Sequence, residues 1–284
     1  MIALRPDAHP AWSPYELTLR GASLNHARPE EILKWGFRQF APDVALATGF
    51  GPEGVVLMHM VSRLRPDTTV FYLDTGLLFP ETYALRDELA ERLHLRFIRV
   101  AADLSVDEQA ERHGPSLWER EPDRCCRLRK VEPMRRFLEG QRAWITGIRR
   151  DQTAHRARAG VVEWDRANGL VKLNPLAGWS QGEVWTYLHL FELPTNPLHE
   201  RGYPSIGCRT CTRAVEPGAD PRSGRWQGIA KTECGIHLAD GAAKSGSPTG
   251  PVSLGPLAAS AAASSYASAQ RSGPLVVLRG EQGA

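Results

Sequence analysis

The chain has 284 residues, of which 42% are apolar, enough for one large domain or two small ones. Its 35 basic and 32 acidic residues leave a net charge of +3, which excludes a general nucleic-acid binder because such proteins carry a strong basic excess. The N-terminus lacks a secretory pattern, and no stretch approaches about 18 apolar residues. We therefore expect a cytoplasmic protein with no membrane span and no nucleic-acid partner.

Strand-like and helix-like patterns alternate along the chain. Short apolar or β-rich runs predict strands, and segments with helical spacing of apolar residues predict helices. The predicted strands are residues 44–48, 68–74, 95–100, 143–148 and 169–176, and the predicted helices are residues 29–40, 55–64, 80–94, 123–140 and 180–191. Such alternation predicts an α/β fold with a doubly wound, mainly parallel sheet covered by helices on both faces.

Composition divides the chain into four parts. Residues 1–28 are expected to form an irregular lead-in, and residues 29–230 form the α/β domain. Residues 231–239 are a short segment with one cysteine. Residues 240–284 are rich in Ala, Ser and Gly and cannot bury enough apolar surface to offset the entropy lost on ordering. We therefore expect them to form a largely disordered tail.

A glycine-rich loop follows the first predicted strand, with Gly49, Gly51 and Gly54 in the sequence GFGPEG. Such a loop lets backbone N–H groups approach a phosphate, and the helix N-terminus adds a favourable dipole. The GK[ST] signature of nucleotide hydrolases is absent and Pro52 interrupts the dinucleotide fingerprint, so a plain tight turn is an equal alternative. The next strand ends in LDTG (residues 73–76), and open α/β sheets bind ligands at such strand ends.

The five cysteines form two pairs and one remainder. Cys125 and Cys126 are adjacent, Cys208 and Cys211 form a CxxC pair, and Cys234 stands apart near the low-complexity tail. Four thiolates suit a tetrahedral zinc ion or an iron–sulfur cluster, and inert buried cysteines or a redox pair are the alternatives. Adjacent helical cysteines point about 100° apart, which favours a bulky 4Fe–4S cluster. By itself, Cys234 could be incidental, a metal ligand or a nucleophile.

Several motifs together resemble one known family. They are LDTGLLFPETY, CCRLRKVEP, TGIRRDQTAHRA, VVEWD, GYPSIGCRTCTRAVEPGADPRSGRW and KTECGIH, in this order between about residues 30 and 238. The set resembles the assimilatory adenylyl-sulfate (APS) reductases, which depend on thioredoxin. Relatives that reduce the 3′-phosphorylated substrate (PAPS) typically keep ECGxH but lack the cluster cysteines. The resemblance implies an adenine nucleotide alpha hydrolase-like fold with a cluster-binding insertion and a mobile C-terminal catalytic segment.

The resemblance also implies a role for each group of motif residues. The implied catalytic residues are Cys234 as the nucleophile, His237, Lys130, Arg222 and Arg225. The implied ligands of a 4Fe–4S cluster are Cys125, Cys126, Cys208 and Cys211. The implied substrate-binding residues are Thr48, Gly49, Phe50, Gly51, Glu53, Asp74, Thr75, Gly147, Arg149 and Arg156. The family usually has serine in the first loop, where this chain has Thr48.

The implied reaction reduces APS to sulfite and AMP. A thiolate at Cys234 would attack sulfur with AMP as the leaving group, and cationic neighbours would favour both the thiolate and the departing phosphate. Thioredoxin, or a glutaredoxin-like reductant, would then attack the S-sulfonate and release sulfite. Glu233, beside the nucleophile, is expected to be solvated, and the family suggests a homo-oligomer.

Three other functions stay open at this point. The same chemistry on PAPS, or on both nucleotides, is the main alternative. An ATP-pyrophosphatase-type enzyme, such as a sulfurtransferase, would require an SGGxDS-type loop, which TGFGPEG does not provide. A non-catalytic iron–sulfur redox sensor explains four cysteines but leaves Cys234 and the arginines without a role.

Overall fold

The structure, a computed structural model, describes residues 12–229 and 231–237. The strands within these ranges are β1 (Val44–Thr48), β2 (Thr69–Asp74), β3 (Phe97–Ala101), β4 (Ala143–Ile145), β5 (Val162–Asp165) and β6 (Leu170–Leu173). They form one sheet in the order β3-β2-β1-β4-β6-β5, and every neighbouring pair is parallel except β5 and β6. The predicted α/β fold with a mainly parallel sheet is therefore confirmed.

Most of the helices in the described ranges begin at or next to a proline. They are α1 (Pro14–Leu24), α2 (Pro29–Phe40), α3 (Pro52–Leu64), α4 (Pro80–Leu93), α5 (Val106–His113), α6 (Leu117–Arg120), α7 (Pro122–Cys126), α8 (Glu132–Leu138) and α9 (Gln181–Leu190). Proline suits the first turn because its missing N–H needs no helical partner there. A π-helical turn at Arg127–Val131 joins α7 to α8, and 3-10 turns lie at Arg150–Gln152, Pro197–Arg201 and Arg209–Cys211.

The N-terminal part corrects one expectation from the sequence. Residues 1–28 were expected to be irregular, but α1 lies within them. The Ser13 hydroxyl accepts a hydrogen bond from the N–H of Glu16, whose carboxylate accepts from the N–H of Ser13, which completes a capping box. The helix packs against β5 so closely that a Cβ on Gly21 would lie 2.8 Å from the carbonyl oxygen of Val162. This helix therefore covers the edge of the sheet.

Both faces of the sheet are buried, because alternate residues of each central strand enter different apolar layers. One layer combines strand residues such as Leu46 and Val70 with apolar side chains of α2, α3, α4 and α9. The other combines Ala45 and Phe71 with Met134 of α8. The sheet is therefore covered on both sides, as a doubly wound fold requires.

The strand order reverses direction between β1 and β4. From β1, the chain adds β2 and then β3 on one side of the sheet, and later adds β4 on the other side. The loops that follow β1 and β4 therefore leave the same sheet edge in opposite directions. Open α/β sheets bind ligands in the crevice at this kind of switch point.

Residues 12–229 and 231–237 all belong to one compact unit. In this described part of the chain, no helix is long and apolar enough to cross a bilayer. The disordered tail predicted at residues 240–284 lies outside the described residues.

Candidate active site

A cavity of about 890 Å³ opens at the switch point between β1 and β4. The loop after β1, with Thr48 and Gly51, forms one part of its wall, and the loop after β4, with Gly147, forms another. The segment 231–237 contributes Cys234. Small-molecule sites typically occupy about 300–1,000 Å³, so the cavity can hold a nucleotide.

Two glycines allow the loops after β1 and β4 to pack closely. A Cβ on Gly54 would lie 2.7 Å from Oγ1 of Thr48, and a Cβ on Gly147 would lie 2.9 Å from Cβ of Glu53. Oγ1 of Thr48 also accepts a hydrogen bond of 3.0 Å from the N–H of Phe50. Phe50 has a left-handed φ of 59°, which non-glycine residues rarely adopt, so this bond and the surrounding packing hold a strained loop.

Most of the predicted substrate-binding residues line this cavity. They are Thr48, Gly49, Gly51, Glu53, Gly147, Arg149 and Arg156. The others lie outside it. Phe50 packs in the apolar core, and the buried carboxylate of Asp74 accepts a 2.6 Å hydrogen bond from the Tyr83 hydroxyl. The Thr75 hydroxyl lies 3.3 Å from Sγ of Cys208, so Thr75 belongs to the neighbouring cysteine site.

Both arginines predicted to contact phosphate are paired with carboxylates. The buried guanidinium of Arg149 pairs with Glu53, and its Nε donates to Asp151 at 2.9 Å. Arg156 donates two hydrogen bonds to Glu233, from Nε at 2.9 Å and from Nη2 at 2.8 Å. These two cations are therefore less available to a phosphate than an unpaired cation.

Lys130 lies in the π-helical turn between α7 and α8. The N–H of Glu132 donates to the carbonyl five residues back, as in a π-helix. Pro133 follows and lacks the N–H that a regular helix would direct to the carbonyl of Arg129, so the helical hydrogen-bond pattern changes here. The turn places Lys130 in the wall of the large cavity and also in the wall of a smaller one beside it.

Burial and the surrounding cysteines shift the pKa of Lys130 in opposite directions. Burial alone would lower the pKa of Lys130, but negative charge at the sulfurs of Cys208 and Cys234 outweighs burial and raises that pKa above its ordinary value. Lys130 is therefore a cation in a position that borders both the cysteine site and the large cavity.

The four paired cysteines line the smaller cavity together. Cys125 and Cys126 end α7, and Cys208 and Cys211 flank a 3-10 turn in which the N–H of Cys211 donates to the carbonyl of Cys208 at 2.9 Å. Burial is the main cause that raises the pKa of the Cys125 thiol to about 12 and that of Cys126 to about 11. The pair at residues 125 and 126 and the pair at residues 208 and 211, which are distant in sequence, therefore share one enclosed site.

The donor set of the smaller cavity fits a thiolate-bound metal centre. Cysteine sulfurs are soft ligands that suit zinc and iron–sulfur clusters. A single zinc ion would draw its four sulfurs to about 2.3 Å from one point. Among residues 12–229 and 231–237, no three His, Cys, Asp or Glu side chains converge as one metal ion requires. Four cysteine sulfurs that line one enclosed site are the donor set that such a centre needs.

Several buried nitrogen atoms around the large cavity lack a hydrogen-bond partner among the described residues. They are Nε of Arg222, Nε of Arg225, Nε1 of Trp226, Nδ1 of His237, Nε1 of Trp144 and Nε2 of His199, and all six residues line the cavity. Buried polar atoms are normally paired, so a cluster of unpaired ones calls for a ligand or ordered water. A ligand rich in acceptor oxygens would satisfy the donors among them.

Three cations that line the cavity, Lys130, Arg150 and Arg225, form no ion pair with a carboxylate of the described residues, and Arg150 instead donates to the carbonyl of Ala159 at 2.8 Å and to Oδ1 of Asn25 at 2.5 Å. Nη1 of Arg225 donates to the Ser205 hydroxyl at 3.3 Å, and the guanidinium lies 4.6 Å from the ring centre of Trp226. No carboxylate of the described residues forms an ion pair with either Arg225 or Lys130. Both can therefore offer an uncompensated positive charge to an anion.

Cys234 is half-buried and lines the cavity in the same segment as His237. Its sulfur is close enough to Lys130 and Arg222 for their charges to interact. The His237 ring stacks on Trp144, with ring centres 5.7 Å apart and planes 18° apart. Burial, followed by nearby cations, lowers the pKa of His237 well below its ordinary value, so this ring is neutral at pH 7.

Sequence reasoning missed the contacts of Glu233, the part played by Trp144 and the partner of Lys231, although it placed Lys231 near the Cys234 thiol. Glu233 was expected to be solvated, but it is 7% exposed and bonded to Arg156, so that expectation was wrong. Lys231 pairs with Asp123 of α7, and Trp144 of β4 forms the wall against His237. The signal for Glu233 was its place beside Cys234 in a motif, and the signal for Trp144 was its strand next to the switch point.

These features define the class of protein. A parallel α/β sheet places a nucleotide-sized cavity at its switch point, with a half-buried thiol and uncompensated cations in the wall. Such a site can bind an anionic ligand and present its electrophilic centre to a thiolate. The protein is an α/β enzyme of the kind that pairs a cysteine with an anion-binding cavity.

Residues 43–214 match the family model described as the phosphoadenosine phosphosulfate reductase domain. The chain belongs to this family. Its membership confirms the predicted oxidoreductase class and the resemblance that the motifs suggested.

Individual relatives cover most of the chain. The Salinibacter ruber protein named adenosine 5′-phosphosulfate reductase is 53% identical over 227 residues, which cover 80% of this chain and 90% of that protein. The Gloeobacter violaceus protein named phosphoadenosine 5′-phosphosulfate reductase is 48% identical over 212 residues, which cover 74% and 88%. The crystal structure of the Candida auris phosphoadenylyl-sulfate reductase, a phosphate complex, is 31% identical with a TM-score of 0.64, and covers 73% of this chain and 100% of that chain. This structural likeness confirms the predicted fold.

Proposed function

We propose that the protein reduces adenosine 5′-phosphosulfate (APS) to sulfite and AMP, with electrons from a small dithiol protein of the thioredoxin or glutaredoxin type. The observation that carries the proposal is the convergence of Cys234, Lys130 and Arg225 on one cavity of about 890 Å³. Relatives named adenosine 5′-phosphosulfate reductase support the choice of substrate.

The first step is attack of the Cys234 thiolate on the sulfur of APS. A bond forms between Sγ and sulfur, and the bond between sulfur and the bridging oxygen breaks. AMP leaves with that oxygen and its electron pair, and Cys234 becomes an S-sulfonate. Charge is conserved, because the negative charge of the thiolate passes to the phosphate of AMP.

Cations that line the cavity bind the substrate and stabilise the leaving group in this step. Arg225 and Lys130, which lack carboxylate partners among the described residues, bind the oxygens of the phosphosulfate and offset the charge that develops on AMP. Arg222 offers its unpaired Nε from the same wall. The neutral His237 contributes a hydrogen-bonding nitrogen and no charge. Removal of one such stabilising group typically costs about 10²–10³-fold in rate.

The second step returns Cys234 to its thiol state. A thiolate of the dithiol protein attacks Sγ of Cys234, and sulfite leaves with the electron pair of the sulfur–sulfur bond. The second thiol of that protein then attacks the mixed disulfide. Cys234 leaves as a thiolate, and the reductant is left as an internal disulfide. Two electrons therefore pass from the dithiol protein to sulfur.

The four paired cysteines would hold a 4Fe–4S cluster. Their soft sulfurs share one enclosed site, and such ligands suit an iron–sulfur cluster. When bound, the cluster would supply local charge and tie α7 to the segment that carries Cys208. Lys130 stands between this site and the cavity, where it holds its proton and its charge toward the substrate.

PAPS is the second candidate substrate, because a relative 48% identical to this chain is named phosphoadenosine 5′-phosphosulfate reductase. The chemistry at sulfur is the same for both nucleotides, so a direct comparison of APS and PAPS decides between them. The cytoplasmic location and the homo-oligomer inferred from the sequence stay predictions.

The test compares Cys234→Ser with the wild type and with Thr232→Ser, a conservative change at an exposed position two residues earlier. The proteins are purified anaerobically, and sulfite release is measured with APS or PAPS and reduced thioredoxin. The wild type and Thr232→Ser should turn over APS, while Cys234→Ser should lose at least ~10⁴-fold in kcat and keep its visible absorption. Mass spectrometry should find one added sulfonate on Cys234 when the reductant is omitted.

Three results would overturn the proposal or its assignment of Cys234. Turnover by Cys234→Ser would remove the nucleophile. Release of no sulfite from either nucleotide by a coloured, folded wild-type protein would remove the activity itself, and loss of colour in Cys234→Ser would make Cys234 a cluster ligand instead.

A further inference from the structure

Glu233, directly before Cys234, is a buried carboxylate with a dense set of hydrogen bonds. Besides the two bonds from Arg156, it lies 3.4 Å from a guanidinium nitrogen of Arg222 and accepts a 3.4 Å bond from the Thr153 hydroxyl. Burial alone would raise the pKa of Glu233, but bonds and charge from Arg156 hold that pKa below its ordinary value. Glu233 is therefore ionised and paired inside the protein.

The partners of Glu233 belong to the wall of the cavity and not to its own segment. Arg156 lies 77 residues away in sequence, in the loop that follows β4, and its Nη1 also donates to Gln152 at 2.6 Å. The guanidinium is thus fixed by its own loop before it meets Glu233. Because Glu233 and Cys234 are neighbours in the chain, this bidentate contact fixes where Cys234 stands.

A second ion pair holds the same segment from another side. Lys231 pairs with Asp123 of α7, and its ammonium lies 5.5 Å from the ring centre of Trp226. The side chain of Lys231 is only 5% exposed. Two charged side chains of one short segment are thus tied to two different parts of the domain, the loop after β4 and the cysteine-bearing helix.

Ion pairs of this kind suit the segment 231–237 if it has to be held in place and then released. Two chemical steps with different partners need Cys234 inside the cavity for the nucleotide and accessible for a protein. An apolar plug would expose hydrophobic surface whenever the segment opened, whereas an ion pair can exchange its partner for water. Gly235 has a φ of 92°, so the backbone next to Cys234 already uses a conformation open mainly to glycine.

We propose that Glu233 is a positioning residue that, through its ion pair with Arg156, holds Cys234 over the cavity for the attack on sulfur. The ion pair opens for the reductive step and releases Cys234 to the reductant. The ion pair of Lys231 with Asp123 holds the same segment, and we call these two ion pairs, Glu233–Arg156 and Lys231–Asp123, the clasp. The inference rests on the proposed function for the meaning of the two steps, while the holding of Cys234 is a property of the protein alone.

The first measurement needs no nucleotide. Full-length protein is treated with iodoacetamide over a range of pH, and alkylation of Cys234 is followed on the tryptic peptide of residues 232–244, which contains no other cysteine. The plateau rate at high pH reports access to the thiolate, and the midpoint of the profile reports the thiol pKa. We expect Glu233→Gln to raise the plateau rate about tenfold or more, since it removes the charge from a buried pair.

Two matched variants accompany this measurement. Glu216→Gln removes an exposed carboxylate from a loop and should leave the plateau rate unchanged. Glu233→Asp keeps the charge on a shorter side chain and should fall between the wild type and Glu233→Gln. It also keeps the test valid should Glu233→Gln prove unstable. A plateau rate equal to that of the wild type in both Glu233 variants refutes the clasp.

The second measurement separates the two chemical steps. In single turnover with APS and no reductant, Glu233→Gln should form the S-sulfonate about tenfold more slowly than the wild type. When the S-sulfonate is formed first and thioredoxin is then added, sulfite release should be as fast as in the wild type or faster. Equal slowing of both steps would make Glu233 a merely structural residue and refute its positioning role. If wild-type protein forms no S-sulfonate, the proposed function fails, while the alkylation result still decides whether the clasp exists.

Discussion

Gly147→Ala tests how the close approach of two loops builds the cavity. The added Cβ would lie 2.9 Å from Cβ of Glu53 and 3.6 Å from both the carbonyl carbon of Glu53 and the nitrogen of Gly54. Carbon atoms prefer separations of about 3.5–4.0 Å, so Glu53 has to move by roughly half an ångström or more. It cannot yield by rotating its side chain, because the contacting atom is Cβ and the carboxylate is paired with Arg149.

The size of the effect follows from this geometry. Overpacking of this kind typically destabilises a protein by about 1–3 kcal/mol. In a domain of this size, 1 kcal/mol lowers Tm by about 2–4 °C, so a fall of about 2–12 °C is expected. Displacement of the first turn of α3 also moves Gly51 and Glu53, which line the cavity. We expect the dissociation constant of AMP to rise about tenfold, which corresponds to about 1.4 kcal/mol.

The control is Gly140→Ala, at an exposed glycine after α8 where an added Cβ has no neighbour within 4 Å. Thermal unfolding by circular dichroism and AMP binding by calorimetry are compared in the two variants and the wild type. Gly140→Ala should change stability by no more than about 0.5 kcal/mol and leave AMP binding unchanged. If Gly147→Ala melts and binds AMP as Gly140→Ala does, the two loops do not meet as described and the reasoning fails.

Two further predictions concern charge at the cavity. Lys130→Met keeps the length of the side chain but removes its charge, and it should lower the single-turnover rate of S-sulfonate formation by about 10²–10³-fold. The control Lys34→Met, on an exposed face of α2, should leave that rate unchanged. Equal rates in the two variants would show that the charge of Lys130 does not assist the reaction. The low pKa of His237 means that the native state resists protonation of this ring more than the unfolded state does. The neutral ring therefore adds its full stabilisation of the native state above the ordinary pKa of about 6.5, and this stabilisation is lost as the pH falls below that value. Urea unfolding at about pH 7.5 and pH 5.5 should therefore show about 1 kcal/mol more acid loss in the wild type than in His237→Gln, and identical losses would contradict a buried neutral ring.

The central strands could be predicted because both faces of the sheet are buried. VALAT and TTVFYLD are continuous apolar or β-rich runs, as parallel strands between two helix layers require. The antiparallel strand β5 was missed because VEWD is short, carries two acidic residues and leaves Trp164 38% exposed at the edge of the sheet. The capping box of Ser13 and Glu16 was a readable signal for α1 that the expectation of an irregular lead-in overlooked.

The site could be predicted as a set of residue types but not as a set of contacts. The motifs supplied Cys234, the paired cysteines and the arginines. They could not supply the pairing of Arg149 with Glu53, which are 96 residues apart in sequence, or that of Arg156 with Glu233. Which carboxylate meets which guanidinium depends on the order of strands in the sheet, and single-sequence patterns do not encode that order.

Pairing decides which cations a ligand can use, and this matters more than their number. The net charge of +3 is small, and the carboxylates at the cavity neutralise much of the local charge, because Glu53 and Asp151 engage Arg149 and Glu233 engages Arg156. Lys130, Arg150 and Arg225 are left without carboxylate partners among the described residues, and only Arg150 of these is held by two neutral acceptors, the Ala159 carbonyl and Asn25. A chain with nearly balanced charge can thus hold an anion at one point, since a few uncompensated cations in an enclosed site interact with it far more strongly than many screened ones on the surface. The same reasoning explains why the nucleophile lies in a segment held by its own ion pairs, since those pairs occupy Arg156 and leave Arg225 to the substrate.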